Sequence, residues 1–249
     1  MFKDRIADID AIKTETDKYR PLPTQSVSML KEHFRVALTY SSNALEGNTL
    51  TQTETKIILE DGMAIGGKSL KEHFEVVGHS NAYDFMWQKA RANQLLEGDI
   101  IQMHRLLCSL VDQENAGHYR KGTVFGAGTG FDYPKPAAVP LLMKDFLREI
   151  PQFKAQYHPV NFAALVHIRL IAIHPFIDGT GRIARLFMNL ALLQSGYVIT
   201  TIPPTMKAAY VVAIQQANKG NGVPFFEFIS EMVLQSSKEY LELIRSTAA

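Results

Sequence analysis

The chain is poor in cysteine, carries almost no net charge and has no long apolar run. Its one cysteine, Cys108, cannot close an internal disulfide, and no CxxC pair offers a thiolate metal site. A reducing, cytoplasmic setting is therefore expected. Lys and Arg number 26 against 25 Asp and Glu, a formal charge of +1. That balance excludes a polybasic nucleic-acid binder and an acidic disordered tail. The greasiest stretch, Phe162 to Phe176, is interrupted by His167, Arg169 and His174, well short of the roughly 18 apolar residues a membrane span needs. The N-terminus, MFKDRIADIDAIKTETDKYR, alternates charges and has no signal-peptide core. A soluble chain is expected, with neither nucleic acid nor membrane as partner. Internal repeats, low-complexity tracts and long linkers are missing as well.

What is present is helical periodicity. Of the 249 residues 46% are hydrophobic, enough to bury a substantial core. Leu30, Phe34, Ala37, Leu38 and Ser41 mark a helix face that ends near Glu46-Gly47. Thr51-Gln-Thr-Glu54 is a capping box. Further helical patterns run from Leu70, from Ile100, and over Val139–Ile150, Val160–Ile173, Arg182–Leu193, Thr205–Asn218 and Phe225–Ile244, about nine in all. Only Thr123 to Tyr133, TVFGAGTGFDY, suggests strands, as a small hairpin around its glycines. The expected fold is an all-α bundle with one short β-flap. Pro21-Leu-Pro23 sets off a charged N-terminal segment.

Gly62-Met-Ala-Ile-Gly-Gly67-Lys68-Ser69 matches the phosphate-binding pattern GxxxxGK[ST] in letters. That loop needs a buried strand before it in an alternating β/α chain, whereas here a capped helix precedes it. The expected role is an exposed connection with Ser69 capping the next helix.

The chemistry concentrates in His174-Pro-Phe-Ile-Asp178-Gly179-Thr180-Gly181-Arg182-Ile-Ala-Arg185. An apolar helix delivers His174 to its end, and Pro175 stops the helix. Two glycines then allow a tight turn into a second helix, whose free amides form an anion nest. Arg182 and Arg185, three apart, lean toward one side, and guanidinium forks suit phosphate oxygens. Asp178 is a hard oxygen donor suited to Mg²⁺ that is shared with phosphates. His174 can serve as a general base near neutral pH.

This segment resembles the Fic-family hallmark HPFx[D/E]GNGRxxR at every position except Thr180, where the family usually has Asn. Gly117-His-Tyr-Arg120 with the following hairpin looks like the family's target-docking flap, and Ala208 to Phe228 is similar to its closing helices. The resemblance implies a Fic-like helical bundle with a β-hairpin flap, residues 51–249, preceded by an N-terminal extension, residues 1–50. It implies AMP transfer from ATP, with Mg²⁺, to a hydroxyl of a target protein. His174 would be the base, Asp178 the metal ligand, and Gly179, Thr180, Gly181, Arg182 and Arg185 the nucleotide site. The family Asn offers the phosphates a side-chain amide that Thr180 lacks. An unidentified target protein would dock at Thr123–Tyr133, and Tyr119 and Thr123 are candidates for self-modification. Exposed helix faces could pair in a homodimer.

Upstream, Ser42-Asn-Ala-Leu-Glu46-Gly47 is similar to the [S/T]xxxE[G/N] inhibitory helix of regulated Fic proteins. That likeness implies a Glu46–Arg185 pair that blocks productive ATP binding, steadied by Ser42 one turn earlier. A de-AMPylating hydrolase, a transferase of another nucleotide and a nucleotide-sensing interaction module stand as alternatives. His104 and His167 read as core or capping histidines.

Overall fold

A computed structural model describes residues 5–92, 94–124 and 132–248. Ten α-helices are found among them: α1 (Ile6–Asp17), α2 (Thr24–Leu45), α3 (Gln52–Asp61), α4 (Leu70–Lys89), α5 (Glu97–Cys108), α6 (Val139–Gln156), α7 (Pro159–Ile173), α8 (Thr180–Gln194), α9 (Lys207–Asn218) and α10 (Val223–Ala248). No strand occurs among the described residues, so the fold there is all-α. The centre of the expected hairpin, residues 125–131, lies outside the described residues. Its described ends, Thr123-Val124 and Asp132-Tyr133, are not strands. The carbonyls just beyond them, of Gly122 and Pro134, accept from the Arg120 guanidinium.

α7 and α8 are the centre of the bundle. They pack on each other, with α6, α9 and α10 against α7, and α2, α4 and α5 against α8. Covered on several sides, both helices bury apolar residues around much of their girth: Val160, Phe162, Val166 and Leu170 in α7, and Ile183, Leu186, Phe187 and Leu190 in α8. The connection between them is the His174–Gly179 loop, so the core holds the two helices that carry the motif.

The sequence pattern did not reveal α1. Ile6, Ile9 and Ile12 recur every three residues, but Asp8, Asp10, Lys13 and Asp17 dilute the stripe. Packing decides it: Ile9 is fully buried in the same core as Leu30, Phe34 and Leu38 of α2. Asp10 accepts a hydrogen bond from the Tyr197 hydroxyl at 2.7 Å, which ties α1 to the end of α8.

The Gly62–Ser69 stretch is a helix-to-helix connection. Gly62 ends α3 in the left-handed conformation, and Ser69 caps α4 with a complete capping box to Glu72. Lys68 donates to the Thr49 carbonyl at 2.7 Å and to its hydroxyl at 3.0 Å. The stretch is preceded by the helix α3, where that loop needs a strand, so the phosphate-loop pattern is one of letters alone.

Gly78 fixes how closely α4 and α5 approach. A Cβ there would overlap the Leu107 carbonyl of α5. In an open helix Gly→Ala would stabilise by up to about 1 kcal/mol. Here the steric term should win, and Gly78→Ala should destabilise by about 1–3 kcal/mol in urea titrations. A neutral or stabilising result would contradict this close approach.

Candidate active site

The site is built on a strained corner. α7 ends at Ile173, and His174 follows at φ +48°, the one non-glycine residue with positive φ among those described. Pro175 prevents the helix from continuing. Gly179, at φ +80°, turns the chain into α8. Phe176, between them, is fully buried against the His104 ring, with parallel planes and centroids 3.7 Å apart.

Hydrogen bonds on both sides keep this loop in shape. His104 Nδ1 accepts from the Gly117 amide at 2.9 Å, which leaves Nε2–H to donate to the Asp178 carbonyl at 3.0 Å. That tautomer requires a neutral ring, and burial lowers the His104 pKa to about 4. Thr180 is buried, and its hydroxyl oxygen accepts from the Phe176 amide at 3.3 Å. The Thr180 side chain thus serves the loop itself. What it can offer a nucleotide is its main-chain amide.

The first turn of α8 presents amides without intrahelical partners. Glu46, the residue that ends α2, reaches over this turn. A Cβ on Gly181 would lie 2.5 Å from Glu46 Oε1 and 3.3 Å from Arg185 Nη1, so only glycine leaves room for the carboxylate. Arg185 Nη2 donates to Glu46 Oε1 at 2.6 Å. Arg185 is 2% exposed and also donates to the Ser42 hydroxyl (2.8 Å), the Ser42 carbonyl (3.0 Å) and the Tyr210 hydroxyl (3.3 Å). Burial would raise the Glu46 pKa. The charge and hydrogen bond of Arg185, with the charge of Arg182, hold it below the ordinary value.

Arg182 takes a different set of partners. It donates to Asp178 Oδ2 at 2.8 Å and to Asn43 Oδ1 at 3.4 Å, with Glu75 of α4 at 3.6 Å. Asp178 is 63% exposed. Its pKa, raised by burial, is brought below the ordinary value by Arg182 and the Gly179 backbone, so it is ionised near neutral pH. Burial, with Arg120 second, lowers the His174 pKa to about 4, against opposing pulls from Glu46 and Asp178. Its imidazole is neutral, with Nδ1 buried and short of a full hydrogen bond. The Tyr133 ring lies against it, centroids 4.2 Å apart.

The structure therefore brings together Ser42, Glu46, His174, Asp178, Gly179, Gly181, Arg182 and Arg185. The sequence reading missed Asn43 and Glu75 as partners of Arg182, Tyr210 as a partner of Arg185, and His104 as the brace of the loop. None carries a motif of its own. The one available signal was polar residues interrupting apolar helix faces.

The sequence profile of the Fic/DOC family matches residues 94–192, which include every residue of the His174–Arg185 loop. Residues 94–192 form a Fic domain. It is 37% identical over 206 residues to the protein adenylyltransferase Fic of Drosophila ananassae, a match covering 81% of this chain and 41% of the fly protein. The chain thus spans about two fifths of the length of the curated relatives it matches. Among solved structures, a Fic-domain-containing signalling protein from Bacteroides thetaiotaomicron superposes with a TM-score of 0.88 at 28% identity. That match covers 96% of this chain and 98% of the bacterial one. Fic-1 from C. elegans gives a TM-score of 0.86, also at 28% identity, over 97% of this chain and 72% of the worm one. Glu46 lies upstream of the matched Fic profile and reaches the Fic loop from α2.

The Glu46–Arg185 contact has a pH signature. A carboxyl whose folded pKa is depressed adds stability above its unfolded value, and that contribution fades as pH falls through the folded value. Glu46→Gln should therefore lower Tm at neutral pH, and the gap to the parent should close as pH is taken below 4.5. Thermal melts across that range check it, and a gap independent of pH would contradict the pairing.

Proposed function

We propose that this chain is an autoinhibited protein adenylyltransferase, which transfers AMP from ATP to a hydroxyl side chain of a target protein. The observation that carries this reading is the Glu46 carboxylate seated over the first turn of α8 in contact with Arg185. A helix N-terminus with free amides beside a buried guanidinium is an anion site. In this chain its own carboxylate already holds that guanidinium. The name of the Drosophila relatives supports the reaction class.

In the open state, the Gly179–Arg182 amides would take the α- and β-phosphates, and Arg185 the γ-phosphate. His174, neutral because burial disfavours its charged form, would accept the proton of the target hydroxyl. The freed oxygen attacks the α-phosphorus, the bond from that phosphorus to the β-phosphate bridging oxygen breaks, and pyrophosphate leaves. Positioning and charge neutralisation supply the rate enhancement. Asp178 fits a Mg²⁺ that is shared with phosphates, because its ionised carboxylate is largely exposed and offers one hard donor. Bound there, the ion would neutralise phosphate charge. Among the described residues no group of three His, Cys, Asp or Glu could hold a metal without such help.

In this reading residues 1–50 carry the inhibitory helix and residues 51–249 the catalytic core. The target segment docks near Thr123–Tyr133, where an extended peptide pairs through main-chain groups. A single buried cysteine suits a reducing compartment such as the cytoplasm. The ionised Glu46 also favours a second activity of the same site, removal of AMP from a modified target. There the carboxylate would take a proton from the attacking water.

Incubation with ATP and intact-mass measurement test the proposal. Glu46→Gly should raise the yield of AMP adducts, on the protein itself or on added protein, by about tenfold or more, equivalent to about 1.4 kcal/mol of released inhibition. Adding His174→Ala should abolish them. No gain from Glu46→Gly in protein shown to bind ATP would sink the autoinhibition.

A further inference from the structure

Arg120 is buried, 4% exposed, and its described hydrogen bonds all end on main-chain carbonyls. Its amide donates to the Pro175 carbonyl at 2.9 Å. Its Nε donates to the His174 carbonyl at 2.6 Å, Nη1 to the Gly122 carbonyl at 3.1 Å and Nη2 to the Pro134 carbonyl at 2.5 Å. One planar fork therefore joins three separate chain positions, Gly122, Pro134 and His174. Only a guanidinium has fixed donors enough for this; an ammonium on a flexible stem would reach one or two.

These three positions are not arbitrary. His174 sits at φ +48°, a conformation that a residue with a Cβ keeps only under constraint from its surroundings. Gly122 and Pro134 are the two feet of the segment between them. Tyr133, beside the second foot, lies against the His174 ring. We propose that Arg120 is the positioning residue that holds His174 in its left-handed, base-ready conformation and ties it to both feet of the Gly122–Pro134 segment. The inference rests on His174 acting as the base. Arg120 touches neither the phosphate-binding amides nor Arg182 or Arg185 in the described contacts, so its effect on turnover is separable from nucleotide binding. Its nearby charge also adds to burial in keeping the imidazole neutral.

The test uses the full chain carrying Glu46→Gly, with Arg120→Gln and Arg120→Lys added singly. Arg120→Gln should cut the rate of adduct formation about 100-fold, the scale of an ångström-size misplacement of a reacting group, while Kd for a non-hydrolysable ATP analogue stays within about twofold. Arg120→Lys, which keeps the charge and loses the fork, should be nearly as slow. Full activity in Arg120→Lys, or a loss of ATP-analogue affinity in step with rate, would overturn the proposal. If Arg120→Gln does not fold, Arg120→Lys carries the comparison.

A second measurement does not depend on transfer. In ¹⁵N-histidine-labelled protein, with His174→Ala identifying the signals, the His174 ring nitrogens should move or broaden in Arg120→Lys. Unchanged His174 signals would overturn the proposal even if activity were absent for another reason. A Glu46→Gly parent that forms no adduct would instead sink the adenylyltransferase reading.

Discussion

A guanidinium taken out of water has to be paired, and Arg185 at the centre of this bundle shows what that demand organises. Its fork is filled by the hydroxyl and carbonyl of Ser42, the hydroxyl of Tyr210 and the carboxylate of Glu46. Three helices, α2, α8 and α9, meet at that one side chain. Removing one partner of such an arrangement leaves charge uncompensated, whereas replacing it with another anion does not. Phosphate is such an anion. In the proposed mechanism a nucleotide phosphate would take over the Glu46 contact, while the neutral partners Ser42 and Tyr210 would keep holding the guanidinium.

The loop before α8 has the complementary property of being held rigid. The His104 ring stacks on Phe176, the His104 Nε2–H holds the Asp178 carbonyl, and the Thr180 hydroxyl closes on Phe176. The other ring nitrogen, Nδ1, accepts from the Gly117 amide, which needs a neutral His104, and burial keeps it neutral. Preorganised amides over a short arc then need little rearrangement to receive phosphate oxygens. Gly181 has a narrower job. It leaves the space into which the Glu46 carboxylate reaches.

Much of the bundle was legible in the sequence because burial imposes a period. α2, α6 and α10 show it plainly, and the capping boxes at Thr51 and Ser69 mark the starts of α3 and α4 to the residue. α1 escaped because its stripe of isoleucines is thin, and its packing against α10 and the core shows what it covers. At the site, the Gly residues and the His-to-Arg spacing were readable, while the link from Glu46 to Arg185 came from family resemblance. At Thr180 the side chain's role was not readable: its hydroxyl satisfies a buried amide of the loop. Arg120, His104, Glu75 and Tyr210 were illegible for a related reason: most of their partners are carbonyls, amides or side chains distant in sequence, which leave no local pattern.

The claim on which the account stands is that Glu46 occupies the place of the γ-phosphate at Arg185. Titration calorimetry of a non-hydrolysable ATP analogue and of ADP, against wild type and Glu46→Gly, tests it most directly. Glu46→Gly should tighten the ATP analogue by about tenfold or more, a change of about 1.4 kcal/mol, and leave ADP, which lacks that phosphate, nearly unchanged. Equal shifts for both ligands, or none for either, would contradict it.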